Sequence, residues 1–173
     1  SVASRGLGDV YKRQVYAAVV SIQAFENMPH PEQIAYLVSA EQMLAQGGKV
    51  VLQTIVRTNN YSRSAAAALA STTGYAWPRM NVVSRDDVAR IVDKHTALRV
   101  TAVTTAPEHL AASLRLQRMA FDAHLRDAAA DGYDVVFRRM WTWQLALREA
   151  LARLEMLDLA QVTMVQRHRG GRR

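Results

Sequence analysis

The stretch Tyr16–Ile22, YAAVVSI, is a short apolar run without charge that is rich in β-branched residues. Such a run is typical of a buried strand. A second run of this kind, VVLQTIV at 50–56, follows a segment at 31–46 whose apolar residues have mostly helical spacing. A strand, a helix and another strand in this order predict an α/β fold with a mostly parallel sheet.

Turn and capping residues mark the boundaries between these elements. Pro29 to Pro31 breaks regular structure before the first helix, and the pair Gly47-Gly48 is expected to end that helix. Residues 57–83 are predicted to be irregular. Ser84, with two aspartates close behind it, predicts the start of a helix that runs to about His95.

The alternation continues to the end of the chain. A third strand is predicted at 99–105, helices at 108–129 and 133–154, and a last strand at 157–165. An open sheet that begins abruptly with a buried strand predicts further strands upstream. Residues 15–166 are therefore expected to be the C-terminal half of a domain, with extra helices before its last strand.

Composition excludes several classes of protein. Of 173 residues, 50% are hydrophobic and 21% are charged, as in ordinary globular domains. The absence of cysteine excludes a thiol nucleophile and a cysteine-ligated metal site within these residues. The five histidines lie far apart, so no metal site is predicted. No apolar run reaches the length of about 18 residues that predicts a membrane-spanning helix.

The formal net charge of +7 lies mostly at the two ends. Residues 4–14, SRGLGDVYKRQ, match the in-frame translation of a transposase sequencing adaptor residue for residue. We therefore expect residues 1–14 to be adaptor-derived, the alternative being a native basic arm. Residues 167–173 form a basic tail with four arginines and no acid. The nearly neutral body makes nucleic acid an unexpected partner.

The most informative polar residues follow the predicted strands, where open α/β sheets bind their ligands. Glu26 lies between the apolar residues Phe25 and Met28, and a desolvated carboxyl has a raised pKa that suits a general base. The alternative is an ordinary loop or helix-start acid. Gln53 and Thr54 interrupt the second strand and must be hydrogen-bonded, either to neighbouring backbone or around a ligand.

Three segments resemble the cyclopropane-fatty-acyl-phospholipid synthase family, which includes the mycolic acid cyclopropane synthases. They are SIQAFENM at 21–28, VLQTI at 51–55, and GYDVVFRRMWTWQLALREAL followed by LDLAQVTMV between 132 and 165. The resemblance implies the C-terminal part of a Rossmann-like class I methyltransferase with a doubly wound sheet. The implied cofactor is S-adenosylmethionine, whose glycine-rich loop would lie upstream, leaving Ser21 and Ile22 as cofactor-binding residues here.

The resemblance also implies a reaction. The double bond of an unsaturated phospholipid acyl chain attacks the methyl group of S-adenosylmethionine, and a bound bicarbonate ion removes a proton so that a cyclopropane ring closes. The implied catalytic residues are Glu26, Gln53 and Ile55, which would surround the bicarbonate. Phe25, Leu110 and Trp141 are expected to line the substrate pocket, although tryptophans on such a helix more often pack in a core.

Three positions depart from the family pattern. Leu110 stands where a tyrosine hydroxyl usually completes the bicarbonate site, Arg148 stands where a cysteine is frequent, and Gln53 replaces a common histidine. These changes leave room for plain methyl transfer to an acyl chain or to another small apolar substrate. A non-enzymatic basic module that binds nucleic acid or a membrane surface is the remaining alternative, and it rests on net charge only.

The resemblance further implies a cytoplasmic enzyme that acts on membrane phospholipid acyl chains at the inner membrane face. Peripheral membrane contact and a homodimer are both compatible with it.

Overall fold

The computed structural model describes residues 15–167. The helices and strands, in chain order, are β1 (Tyr16–Ile22), α1 (His30–Gln42), β2 (Leu44–Arg57), α2 (Arg63–Thr73), α3 (Arg85–His95), β3 (Leu98–Thr105), α4 (Pro107–Ala123), α5 (Leu125–Ala130), α6 (Val135–Arg153) and β4 (Leu157–Gln166). The expectations for residues 1–14 and for the tail beyond 167 lie outside the described residues.

The described strands form a four-stranded sheet in the order β1-β2-β4-β3. β1 and β2 are parallel, whereas β4 is antiparallel to both of its neighbours. β1, β2 and β3 therefore run in one direction, as predicted, with β4 inserted against them. The α/β class and the extra helices before the last strand are confirmed.

The reversal of β4 follows from the helices that precede it. Arg118 of α4 donates hydrogen bonds to Glu149 of α6, and Thr142 of α6 donates one to Asp122 of α4. From Arg118 to Asp122 the chain advances along α4, while the partners on α6 go back from Glu149 to Thr142. The two helices are therefore antiparallel. The chain thus returns to the end of the sheet at which β3 finished, and β4 runs back beside it.

The glycine pair does not end a helix, which corrects the sequence prediction. α1 ends at Gln42, and β2 already begins at Leu44 and runs through both glycines. Gly47 has a positive φ of 78°, and a Cβ on Gly48 would lie 2.9 Å from the Ala45 carbonyl oxygen. Because the register between β1 and β2 shifts in this region, the glycines accommodate an irregular, close strand pairing.

Two helix predictions also need correction. Residues 57–83 are not wholly irregular, because they contain α2, whose N-cap Ser62 accepts a hydrogen bond from the Ala65 amide. The alanine-rich composition and the serine cap were the signals for this helix. The helix predicted over 108–129 is divided at His124, whose backbone φ of −112° departs from helical geometry.

The predicted start of α3 is confirmed in detail. The Ser84 side chain accepts from the Asp87 amide, and the Asp87 carboxylate accepts from the Ser84 amide, which completes a capping box. Arg57, at the end of β2, forms an ion pair of 2.7 Å with Asp87. Desolvation opposes ionisation of Asp87, but the bonds from Ser84 and Arg57 hold its pKa well below the usual range.

The two faces of the sheet carry separate apolar cores. One core packs α1 and α3 around residues such as Val50 and Leu52, and the other packs α2, α4 and α6 around Ile55 and Leu157. β1 is not the buried strand that its sequence predicts. It lies at an edge of the described sheet, where only Ser21 is buried and Ile22 is 63% exposed.

No helix within the described range 15–167 combines the length and the apolar character needed to cross a membrane.

Candidate active site

A short 3-10 turn after β1 carries Glu26 into the interior next to β2. The chain leaves β1 at Gln23, whose φ of 50° is unusual for a residue other than glycine and whose amide donates to the Gln53 carbonyl oxygen at 2.8 Å. Glu26 is only 3% exposed, and its Oε2 accepts a hydrogen bond of 2.7 Å from Thr54 Oγ1. The turn is thereby fixed to the end of the neighbouring strand.

The environment of Glu26 favours the neutral acid. Burial raises the pKa of the carboxyl above its ordinary value, as its apolar sequence neighbours predict. Hydrogen bonds from Thr54 and from the Glu26 and Ile55 amides, together with the charge of Arg148, oppose the shift without cancelling it. A carboxyl of this kind can accept or release a proton nearer neutral pH than an exposed glutamate can.

Glu26 lines a cavity of about 90 Å³ that lies between the strand ends and the helices. The other lining residues are Gln23, Asn27, Ile55, Trp77, Leu110, Ser113, Leu114, Gln117 and Arg148. The cavity therefore joins β2, the loop after α2, α4 and α6 around one buried acid.

Helix α6 supplies a second ionisable group to this cavity. Arg148 is 7% exposed, its Nε has no hydrogen-bond partner among the described residues, and its guanidinium carbon lies 5.4 Å from the centre of the Trp77 ring. Burial lowers the pKa of Arg148 to about 10, although Glu26 acts in the opposite direction. Arg148 therefore stays charged at neutral pH, and the indole face stabilises that charge.

Three of the residues singled out in the sequence come together in this cavity, namely Glu26, Ile55 and Leu110. Trp141 lies beside it, with its ring centroid 5.6 Å from that of Trp77. Gln53 is half-buried at the register position between Ile22 and Gln161 and is not among the lining residues.

The remaining sequence-based candidates lie elsewhere. Phe25 is fully buried in the core on the α1 side, edge-on to Tyr36 with ring centroids 6.4 Å apart. Ser21 is buried in β1 with its hydroxyl unpartnered among the described residues, and Ile22 is exposed beside it. The roles assigned to these residues stay predictions.

The sequence analysis did not predict that Thr54 bonds to Glu26 or that Trp77 and Arg148 line the cavity. The strand residue that contacts Glu26 through its side chain is Thr54 rather than Gln53. Arg148 lies seven residues after Trp141 on α6, hence on the same helical face, so helical periodicity predicts an inward guanidinium. Trp77 follows α2 in a loop, and no local signal links it to the cavity.

Within residues 15–167, no group of three or more histidine, aspartate or glutamate side chains is arranged to hold a metal ion.

Relatives of known identity support a methyltransferase-type fold. The chain is 30% identical over 151 residues to the tuberculostearic acid methyltransferase UfaA1 of Mycobacterium tuberculosis, an alignment that covers 87% of this chain and 35% of UfaA1. The chain therefore spans about a third of that relative.

Solved structures resemble the same region. The mycolic acid cyclopropane synthase CmaA1, complexed with SAH and CTAB, superposes with a TM-score of 0.79 at 23% identity, covering 89% of this chain and 56% of CmaA1. The cyclopropane synthase MmaA2 from Mycobacterium tuberculosis gives 0.76 at 21% identity, covering 87% of this chain and 55% of MmaA2.

The family model of mycolic acid cyclopropane synthetase matches residues 2–162, which is most of the chain. The predicted resemblance is thus confirmed, and the chain belongs to the mycolic acid cyclopropane synthetase family.

Proposed function

We propose that the whole protein to which this chain belongs transfers the methyl group of S-adenosylmethionine to the double bond of an unsaturated phospholipid acyl chain. The product would be a methylated or a cyclopropane chain. The observation that carries the proposal is the buried carboxyl of Glu26, which lines a cavity at the end of two parallel strands. Ligands of open α/β sheets bind at this end of the strands.

S-adenosylmethionine would supply an electrophilic methyl group when bound. We propose that part of its site lies at the end of β1, where the Ser21 hydroxyl has no partner among the described residues and Ile22 is exposed. This placement rests on the proposal that residues 15–166 are the C-terminal half of a methyltransferase domain.

The chain's own residues have distinct roles in the proposal. Thr54 and the Ile55 amide orient the Glu26 carboxyl, which holds a proton or releases it toward the cavity. The apolar side chains of Ile55 and Leu110 keep water away from this carboxyl, and exclusion of water strengthens electrostatic interactions with a developing positive charge. CmaA1 was solved with the detergent CTAB, which supports an apolar chain as the acceptor.

Bicarbonate, which the family resemblance implies, is part of the proposal. The cavity has space for a group of a few heavy atoms and is lined by both an acid and an unpartnered N–H donor. When bound there, bicarbonate would supply a base, held by Glu26 and the donors around it. We further propose that the protein acts in the cytoplasm at the inner membrane face.

The experiment uses the complete gene product, methyl-labelled S-adenosylmethionine and vesicles of an unsaturated phospholipid. Mass spectrometry of the acyl chains should show labelled methylated or cyclopropane products. Acyl chains without label would contradict the proposal. Label in a small apolar metabolite instead would support the second candidate, methyl transfer to such a substrate, which the buried Leu110 in the cavity favours.

A further inference from the structure

A groove of about 410 Å³ runs along helix α3, outside the cavity that contains Glu26. Its lining includes the buried side chains of Val83 and Ile91, which belong to the apolar core around α1 and α3. Ile55 and Leu110, which line the Glu26 cavity, belong to the core on the other face of the sheet. The groove is therefore a separate feature of the molecule.

Positive side chains predominate in the lining of this groove. Arg57 comes from the end of β2, and Arg90 and Lys94 come from successive turns of α3. The acid among the lining residues is Asp87. Three permanent positive charges and one negative charge leave an excess of two positive charges along the groove.

Asp87 cannot neutralise this excess, because its carboxylate is already occupied. One oxygen accepts hydrogen bonds from the amide and hydroxyl of Ser84 and from Arg57, and the other accepts from Arg90. Both arginines keep further N–H groups, since a guanidinium has five. Lys94 takes part in none of the ion pairs closer than 4.0 Å among residues 15–167.

We propose that this groove binds a phosphate monoester. At neutral pH a phosphate monoester carries about −1.5 to −2 charges, which matches the excess of two positive charges. The planar fork of an arginine pairs with two phosphate oxygens, and a lysine ammonium adds a compact point charge. A carboxylate or a phosphate diester carries a single charge and would leave half of the excess uncompensated.

The dimensions of the groove leave room for the organic part of the ester. A helix rises by about 1.5 Å per residue, so Asp87 and Lys94 lie about 10 Å apart along α3. The volume of about 410 Å³ is in the range of small-molecule sites. His30 and His95 also line the groove, and their ring nitrogens can hydrogen-bond to hydroxyl groups of the ester.

The groove also lies next to the turn that carries Glu26. Asn81 is one of its lining residues, and the Asn81 amide donates a hydrogen bond of 2.7 Å to the Glu26 carbonyl oxygen. Two sources present the same phosphate chemistry, namely a lipid with a monoester headgroup and a soluble metabolite. Binding is measured without methyl transfer, so the inference does not depend on the proposed function.

The first experiment titrates the ¹⁵N-labelled 173-residue chain with glycerol 3-phosphate, a monoester, and with glycerophosphoglycerol, a diester. We expect glycerol 3-phosphate to shift the Nε–H NMR signals of Arg57 and Arg90 and to bind more tightly than the diester. Unmoved signals with glycerol 3-phosphate would overturn the proposal. Equal affinity for the diester would overturn the assignment to a monoester.

Variants locate the site. Arg90→Ala combined with Lys94→Ala should weaken binding of glycerol 3-phosphate by about tenfold or more, because hydrogen bonds to charged groups are the stronger ones. The matched control combines Arg85→Ala with Arg139→Ala, which removes two exposed arginines outside the groove lining and should bind like the parent. Equal affinity in the two double variants would overturn the proposal.

Circular dichroism checks that each variant is folded. If the Arg90→Ala, Lys94→Ala chain does not fold, Lys94→Ala alone decides the matter, since Lys94 is exposed and takes part in no ion pair of the described residues. A folded Lys94→Ala chain with the affinity of the parent would then overturn the proposal.

Vesicles distinguish the two sources of the phosphate. The chain is sedimented with phosphatidylcholine vesicles that contain or lack phosphatidic acid. Binding that requires phosphatidic acid and is displaced by glycerol 3-phosphate would support the lipid headgroup. Binding of glycerol 3-phosphate without vesicle binding would support the soluble monoester, and binding of neither would overturn the proposal.

Discussion

Thr54 Oγ1 lies 2.7 Å from Glu26 Oε2, and this hydrogen bond joins the C-terminal part of β2 to the turn that follows β1. Both side chains are buried, at 0% and 3% exposure. The bond fixes one carboxyl oxygen and opposes the effect of burial on the pKa of Glu26.

The first prediction concerns this bond. Thr54→Val keeps the side-chain shape and removes the donor, so the pKa of Glu26 should rise further, because a bond to the charged form is lost. The pH profile of methyl transfer by the complete gene product should shift toward higher pH. A matched control is Thr101→Val on the exposed face of β3, whose profile should not move. An unshifted Thr54→Val profile would show that Glu26 does not titrate in the reaction.

The second prediction concerns Glu26 itself. Glu26→Gln retains size and hydrogen-bonding capacity but cannot exchange a carboxyl proton, so turnover of the complete gene product should fall by about 10²-fold or more. Folding should be retained, as judged by circular dichroism. Glu32→Gln, at the exposed start of α1, is the control and should be fully active. Full activity of Glu26→Gln would leave Glu26 as a structural acid.

The third prediction links Asp87 to the pH dependence of stability. The pKa of Asp87 is lower in the folded protein than in the unfolded chain, so its contribution to stability is complete above the ordinary aspartate pKa of 3.8. It is lost as the pH falls from there through the folded pKa. Asp87→Asn should lower the free energy of unfolding at pH 7 by about 1–2 kcal/mol through the weakened cap and lost ion pair.

Urea unfolding of the parent and the Asp87→Asn chain at pH 7 and at pH 3 measures this effect. The difference in the free energy of unfolding between the two chains should be smaller at pH 3, because the Asp87 carboxyl of the unfolded chain is then largely protonated while that of the folded protein is still ionised. The control is Asp86→Asn, which lies on the same first turn but takes no part in the capping box of Ser84 and Asp87. It should change the free energy of unfolding by only a few tenths of a kcal/mol. A difference that is equal at both pH values would contradict the assignment.

The fourth prediction tests the irregular pairing of β1 with β2. Gly48→Ala would place a Cβ 2.9 Å from the Ala45 carbonyl oxygen and 3.1 Å from that of Ala17, and backbone atoms there cannot give way cheaply. We expect a loss of about 1–3 kcal/mol in the free energy of unfolding. Gly74→Ala is the control, because its Cβ would meet its nearest atom, the Ser71 oxygen, only at 4.0 Å. Equal stability of the two variants in urea would contradict the close strand approach.

Local patterns in the sequence predict most of the elements, because strand and helix periods are carried by neighbouring residues. The runs at Tyr16–Ile22 and in β2, and the serine cap of α3, gave elements that the structure contains. The prediction that Gly47 and Gly48 end a helix is wrong because a glycine pair is equally suited to a helix end and to an irregular strand pairing. Only the backbone of β1, which lies beside the glycines in space but is distant in sequence, distinguishes a helix end from a strand pairing here.

Some features of the candidate site are likewise predictable from the sequence, and others are visible only in the tertiary structure. The sequence by itself determined the α/β class, the family and the presence of a carboxyl among apolar neighbours at Glu26, because composition, periodicity and ordered motifs are local properties. Tertiary structure alone decided that Thr54 is the side chain bonded to Glu26, and that Trp77 and Arg148 share its cavity. These residues come from separate elements, and chain packing rather than sequence spacing sets the distances between them.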